Sequence, residues 1–248
     1  MIKSIKTIMR QDREPYRVPR RVQDVIPIQC VWPDGIFKVG IKFSKTYRFT
    51  DINYKVASRE DKETMFLAYS ELLNGLDSAA TTKLTICNRR QSQADFEQSV
   101  LMAMRGDGLD KYRQEYNQML IDKATGANGI IQEKLVTVTV YKRDIEDARA
   151  YFTRIGADLT ARFAALGSKC VELDAADRLR ILHDFYRAGD EGSFHFDMAD
   201  MARKGHDFRD YICPDGIEKH SDYLKLGDRY CRVLFLKDYA NYIQDEIV

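Results

Sequence analysis

Two His-Asp dipeptides, His183-Asp184 and His206-Asp207, each precede a phenylalanine, and paired histidine and aspartate are the ligand types with which phosphohydrolases hold metal ions. A metal-dependent hydrolase built on them needs both imidazoles in one coordination shell. His183, however, follows Leu179 by one helical turn in an amphipathic run, where a packed imidazole needs no metal. His195 and His220 fall in polar, loop-like sequence. No H-E-x-x-H, G-x-S-x-G or cysteine-histidine signature accompanies any of the four.

Phosphate chemistry fares no better. A nucleotide-hydrolysing loop needs G-x-x-x-x-G-K-[S/T], whose backbone amides and lysine cradle phosphates while the hydroxyl holds magnesium. The nearest string, Gly167-Ser168-Lys169-Cys170, lacks both the leading glycine and the hydroxyl. Glu60, Asp61 and Glu63 have the positions of helix-start carboxylates favoured by the dipole. The reading assigns no catalytic residue, no metal and no cofactor.

Basic residues offer the remaining chemistry. Residues 1–24 form an arm in which Arg10, Arg13, Arg17, Arg20 and Arg21, with Lys3 and Lys6, outnumber Asp12 and Glu14. Arg89-Arg90 follows a strand-like run. These seven arginines are the candidate contacts for nucleic acid or an acidic partner, against the plainer reading of solvated charge. DNA contact through the arm would weaken steeply with salt, because neutralised phosphates release counterions.

Over the whole chain of 248 residues, 39 Lys and Arg balance 38 Asp and Glu, so no global field draws it to nucleic acid or an anionic membrane. The five cysteines show no C-x-x-C spacing. They suggest reduced, packed thiols in a cytosolic compartment rather than zinc or disulfides. No run approaches the ~20 apolar residues of a membrane span, so the expectation is a cytoplasmic protein held peripherally at a membrane by partners.

The elements that position these residues follow from periodicity. Phe37, Val39, Ile41 and Phe43 alternate as a strand, joined to the Ile26–Trp32 run through Pro33-Asp34-Gly35 in an amino-terminal β-hairpin. Ser58 caps a helix carrying Met65, Phe66, Tyr69, Leu72, Leu73 and Leu76. Thr82–Cys87 follows as a strand, 94–104 has helical character, and Leu109, Tyr112, Tyr116, Met119 and Leu120 mark another helical face. Leu135–Tyr141 is a β-branched strand. Asp144 caps a helix running to Gly167, Val171 and Leu173 form a short strand, and Asp174 caps a further helix.

These elements predict an α+β fold of ferredoxin-like β-α-β units spanning residues 25–238, with an irregular insertion near 190–210. A second Pro-Asp-Gly turn and the Tyr230–Leu236 run predict a carboxyl-terminal β-hairpin. Residues 239–248 begin an element without a stop signal and are expected to lead into a further domain.

Longer strings carry a resemblance. Asp51-Ile52-Asn53-Tyr54-Lys55-Val56-Ala57-Ser58-Arg59-Glu60-Asp61-Lys62, Gly106-Asp107-Gly108-Leu109-Asp110, Ala124-Thr125-Gly126-Ala127-Asn128-Gly129, Lys204-Gly205-His206-Asp207-Phe208-Arg209-Asp210-Tyr211 and Gly227-Asp228-Arg229-Tyr230 resemble the amino-terminal region of conjugative type IV secretion ATPases of the TraE, TrbE and CagE kind, especially those on Gram-positive integrative elements. The likeness covers nearly the whole chain from Val25. It implies a region preceding a motor domain that holds the Walker motifs, and therefore a non-catalytic docking and oligomerisation role. The implied partners are type IV secretion channel proteins and neighbouring ATPase subunits.

Overall fold

The computed structural model describes residues 19–52, 54, 56–75, 77–90, 100–126 and 130–238. Strands β1 (Cys30–Val31) and β2 (Phe37–Val39) form the expected first hairpin and lead into β3 (Lys42–Phe49). From β3 the chain passes through helix α1 (Arg59–Asn74) to strand β4 (Thr81–Arg90). Helix α2 (Asp110–Gly126) then precedes strand β5 (Ile130–Tyr141), helix α3 (Ile145–Ala165) and strand β6 (Cys170–Glu172).

Strand β5 lies between β3 and β4 and is antiparallel to both, while β3 lies between β5 and β6. Each β-α-β passage therefore straddles a strand of the other, the ferredoxin-like interleaving. The α+β class and its split β-α-β units are present as the periodicity predicts.

Local chemistry sets the helix starts. The Ser58 hydroxyl accepts from Asp61 N at 3.1 Å, the Asp144 carboxylate from Asp147 N at 2.9 Å and the Asp174 carboxylate from Asp177 N at 2.8 Å, each satisfying an amide that the helix cannot. Helix α3 buries Ala148, Phe152, Ile155, Leu159 and Phe163 against Phe43 and Tyr47 of β3 and Val136, Val138 and Val140 of β5. Tyr47 donates its hydroxyl to the Phe152 carbonyl at 3.2 Å, and burial pushes its pKa well above the usual phenol value.

The opposite face of the sheet carries a second core. Helix α4 (Ala175–Tyr186) places Leu179 among Ile26, Ile28, Phe37, Phe194, Phe208 and Ile212. The polar 190–210 stretch is thus packed through its phenylalanines and contains helix α5 (Met198–Lys204). Ile36 faces the first core and Phe37 the second, as alternation along a strand requires.

Three expectations change. The run Phe37–Phe43 is two strands, because Val39 pairs with Lys42 and Gly40, at φ +60°, turns the chain between them. A positive φ at the first central residue is what a two-residue hairpin needs. The carboxyl-terminal hairpin is a three-stranded meander of β7 (Ile217–Lys219), β8 (Leu224–Leu226) and β9 (Arg229–Cys231). Its last strand ends at Cys231, so Val233–Leu236 stands exposed instead of paired. The helical character expected at 94–104 falls mostly outside the described residues, and 101–104 is irregular.

All five cysteines are free, but only Cys170 and Cys213 are buried, and Cys30 is exposed. Burial pushes the thiols of Cys170 and Cys213 up to about 11, away from the reactive thiolate. A thiol reagent at pH 8 is therefore expected to label Cys30 in the folded protein and to reach Cys170 and Cys213 only on unfolding. Peptide mapping by mass spectrometry checks this.

Candidate docking surface

Helix α1 has two apolar stripes. Ala68 and Leu72 pack into the first core, while Phe66, Tyr69 and Leu73 point away from it and are exposed. The apolar face expected from sequence merges these two stripes. Only half of it is needed to hold the helix on the fold.

Helix α2 is turned the other way from its expected face. Its sheltered side is mixed, with Leu120 and Ile121 partly buried beside Asn117; Asn117, 8% exposed, accepts from Met102 N and donates to Met102 O, both at 2.9 Å. Arg113 bridges Asp107 and Asp110 at the helix start. That guanidinium holds the Asp107 carboxyl below the usual carboxylate range, and at Asp110 the Arg105 amide does so first, with the guanidinium adding to it.

The stripe of Leu109, Tyr112, Tyr116 and Met119, spaced by three and four residues, is 41–66% exposed. A contiguous exposed apolar stripe of this kind is the type of surface at which proteins associate.

Strand β4 adds an open edge. Its partner on one side is β5, and among the described residues no strand pairs with the other side. Leu84 and Ile86 lie level with Val136 and Lys134 on the face that carries α1 and α3, yet both are more than half exposed. Unpaired backbone amides and carbonyls along such an edge are a template for an added strand.

Among the described residues, the candidate basic side chains fall on separate elements. Arg10, Arg13 and Arg17 lie outside the described residues. Arg20 and Arg21 are exposed beside the 3-10 turn Val22–Val25, whose Val22 packs on the second core. Arg89 and Arg90 lie within the last part of β4 instead of following a strand.

Arg89 is already ion-paired with Glu133 at 3.5 Å, and Glu133 is shared with Arg48. Register places β2 level with the Thr81 end of β4, so Arg89 lies eight residues, ~27 Å of strand, from that end.

The histidines also stay apart. His183 is buried, faces Asp184 and Ser193 through its two ring nitrogens and packs on Phe194. His206 is half exposed, beside Asp210 and Tyr211. The rings of Phe194, Phe196 and Tyr211 form a continuous series between them. Among the described residues, no cluster of three or more His, Cys, Asp or Glu side chains is arranged to hold a metal ion.

No protein-family model matches the chain, and no curated protein matches it. The likeness to conjugative ATPases therefore stands on the quoted sequence strings. No helix among the described residues is long and apolar enough to cross a membrane.

Proposed function

We propose that this chain is a docking and oligomerisation domain of a conjugative transfer ATPase, non-catalytic in itself, contacting channel components and neighbouring subunits at the cytoplasmic membrane face. The observation that carries the docking role is helix α2, whose apolar stripe faces solvent while its Asn117 side is sheltered. The outward stripe of α1 and the open edge of β4 add to it. The assignment to conjugation is supported by the strings that run from Asp51 to Tyr230.

Introducing Tyr112→Glu with Tyr116→Glu is expected to abolish assembly while moving folding stability by no more than ~1 kcal/mol, because both side chains are exposed. Light scattering after size exclusion, on this chain and on one extended through a following motor, reads the first effect; thermal circular dichroism reads the second. Unchanged assembly in both lengths would remove α2 from the interface. ATP hydrolysis by the 248-residue chain, lost on changing one of its own residues, would overturn the non-catalytic reading.

A further inference from the structure

Helix α3 packs over β3 and β6, where its Gly156 meets Tyr47 and Glu172, and the order of strands puts β4 at the far margin of the sheet. Helix α1 leans on α3: the Arg162 guanidinium donates to the Glu71 carbonyl at 3.1 Å and lies against Gly75. At 3.6 residues per turn, Phe66, Tyr69 and Leu73 then stand on the opposite flank of α1, toward β4. Leu84 and Ile86 of β4 belong to neither core. Together they make a ledge, with β4 as floor and the outer flank of α1 as wall, whose five apolar side chains are 41–65% exposed.

The stripe of α2 has the form that fits such a ledge. Leu109, Tyr112, Tyr116 and Met119 step by three and four residues, the spacing of an apolar helix laid into a groove. Over these ten residues the stripe runs ~15 Å, against ~10 Å for Phe66 to Leu73 along the wall. A chain's own ledge does not receive its stripe, since Tyr112 and Leu84 both stand more than half exposed. Strands β4 and β5 pair as far as Arg90 and Ile130, so the chain leaves for α2 from the strand that floors the ledge.

Area decides between one contact and two. With on the order of 100 Å² of open surface on each half-exposed large side chain, one stripe on one ledge covers about 900 Å², short of a standard interface. A two-fold axis that engages both pairs raises this to about 1,800 Å², within the range of stable complexes.

We infer that the occupant of the ledge is a second copy of this chain: each α2 seats its stripe on the β4 and α1 ledge of the other, in a reciprocal two-fold dimer. The inference rests on the reading of α2 as an association surface and supplies the surface that receives it.

The test uses the full chain in two double variants, Tyr112→Glu with Tyr116→Glu on the stripe and Leu84→Glu with Ile86→Glu on the ledge. By sedimentation velocity over a range of concentrations, the wild type is expected as a dimer and each variant as a monomer. An equimolar mixture of the variants is expected to regain a heterodimer, because one intact stripe then meets one intact ledge. Its dissociation constant should be about tenfold or more above that of the wild type, with one contact of two remaining. Benzoylphenylalanine at position 116 of an otherwise unchanged chain gives a second readout that needs no charge on either surface: after illumination, links into residues 66–86 are expected in a band of dimer mass. A mixture that stays monomeric, or links into 66–86 within one chain, would overturn the reciprocal seat. A ledge variant that still dimerises, or links to other residues of a second chain, would overturn the ledge and leave α2 as an association surface. A wild type that stays monomeric and forms no link between chains would overturn the second copy as occupant, and with it α2 as a contact between subunits.

Discussion

Replacing Arg178 with alanine is expected to destabilise the fold by about 3 kcal/mol or more, read as a lower urea midpoint. The Arg178 guanidinium donates to the carbonyls of Gly35 and Ser44, both at 2.7 Å, and to the Ser44 hydroxyl at 3.1 Å, while lying 3.9 Å from the Phe37 ring centre. One side chain thus ties α4 to the first hairpin and to β3. Truncation leaves both carbonyls short of a charged donor and opens a void beside Phe37.

Lysine at position 178 is expected to recover only part of the loss, because a single ammonium does not reproduce the planar fork. Among the described residues no carboxylate pairs with Arg178, and burial pulls its pKa down to about 9.

Gly35→Ala is expected to be about as damaging, at ~3 kcal/mol or more. Gly35 sits at φ +77°, and a Cβ built there would lie 2.0 Å from the Leu173 carbonyl oxygen. Both obstacles are backbone, so no rotamer change relieves them. The same turn receives the Ala175 amide on the Pro33 carbonyl at 3.3 Å, and its Gly35 carbonyl is an acceptor of Arg178.

Since the two substitutions break one junction, the double variant should lose less than the sum of the single losses, by roughly 1–2 kcal/mol. Additive losses in a denaturation cycle would mean that turn and guanidinium act independently.

What could be read from sequence was what short-range chemistry decides. Ser58, Asp144 and Asp174 mark their helices because each cap acts within three residues. Leu135–Tyr141 reads as a strand because its side chains leave little alternative. Gly40 escaped notice because its neighbours keep an alternating apolar pattern straight through the turn.

The site was less legible, since it depends on which apolar stripe the fold uses. Nothing in the spacing of Tyr112, Tyr116 and Met119 tells that Asn117 takes the sheltered side through a bond to Met102. The pairing of Arg89 with Glu133 spans a strand crossing, and the packing role of Phe194 and Phe208 is hidden by polar neighbours. The basic arm was visible as charge, whereas a cleft lined by Asp177, Phe194, Phe196 and Tyr211 is made of residues from separate elements.

The interleaved sheet also sets an order of events during synthesis. Strand β3 pairs Lys42 with Tyr141 and Phe49 with Lys134 on one side, and Phe49 with Cys170 on the other. On a ribosome adding ~5–20 residues per second, Tyr47 and Phe49 therefore leave the exit tunnel several seconds before β5 or β6 exists, with β2 covering one edge of β3 only at Lys42–Ser44. Over that interval the nascent chain presents the Lys45–Phe49 half of β3 with both edges bare, and a holding chaperone has its most natural purchase there.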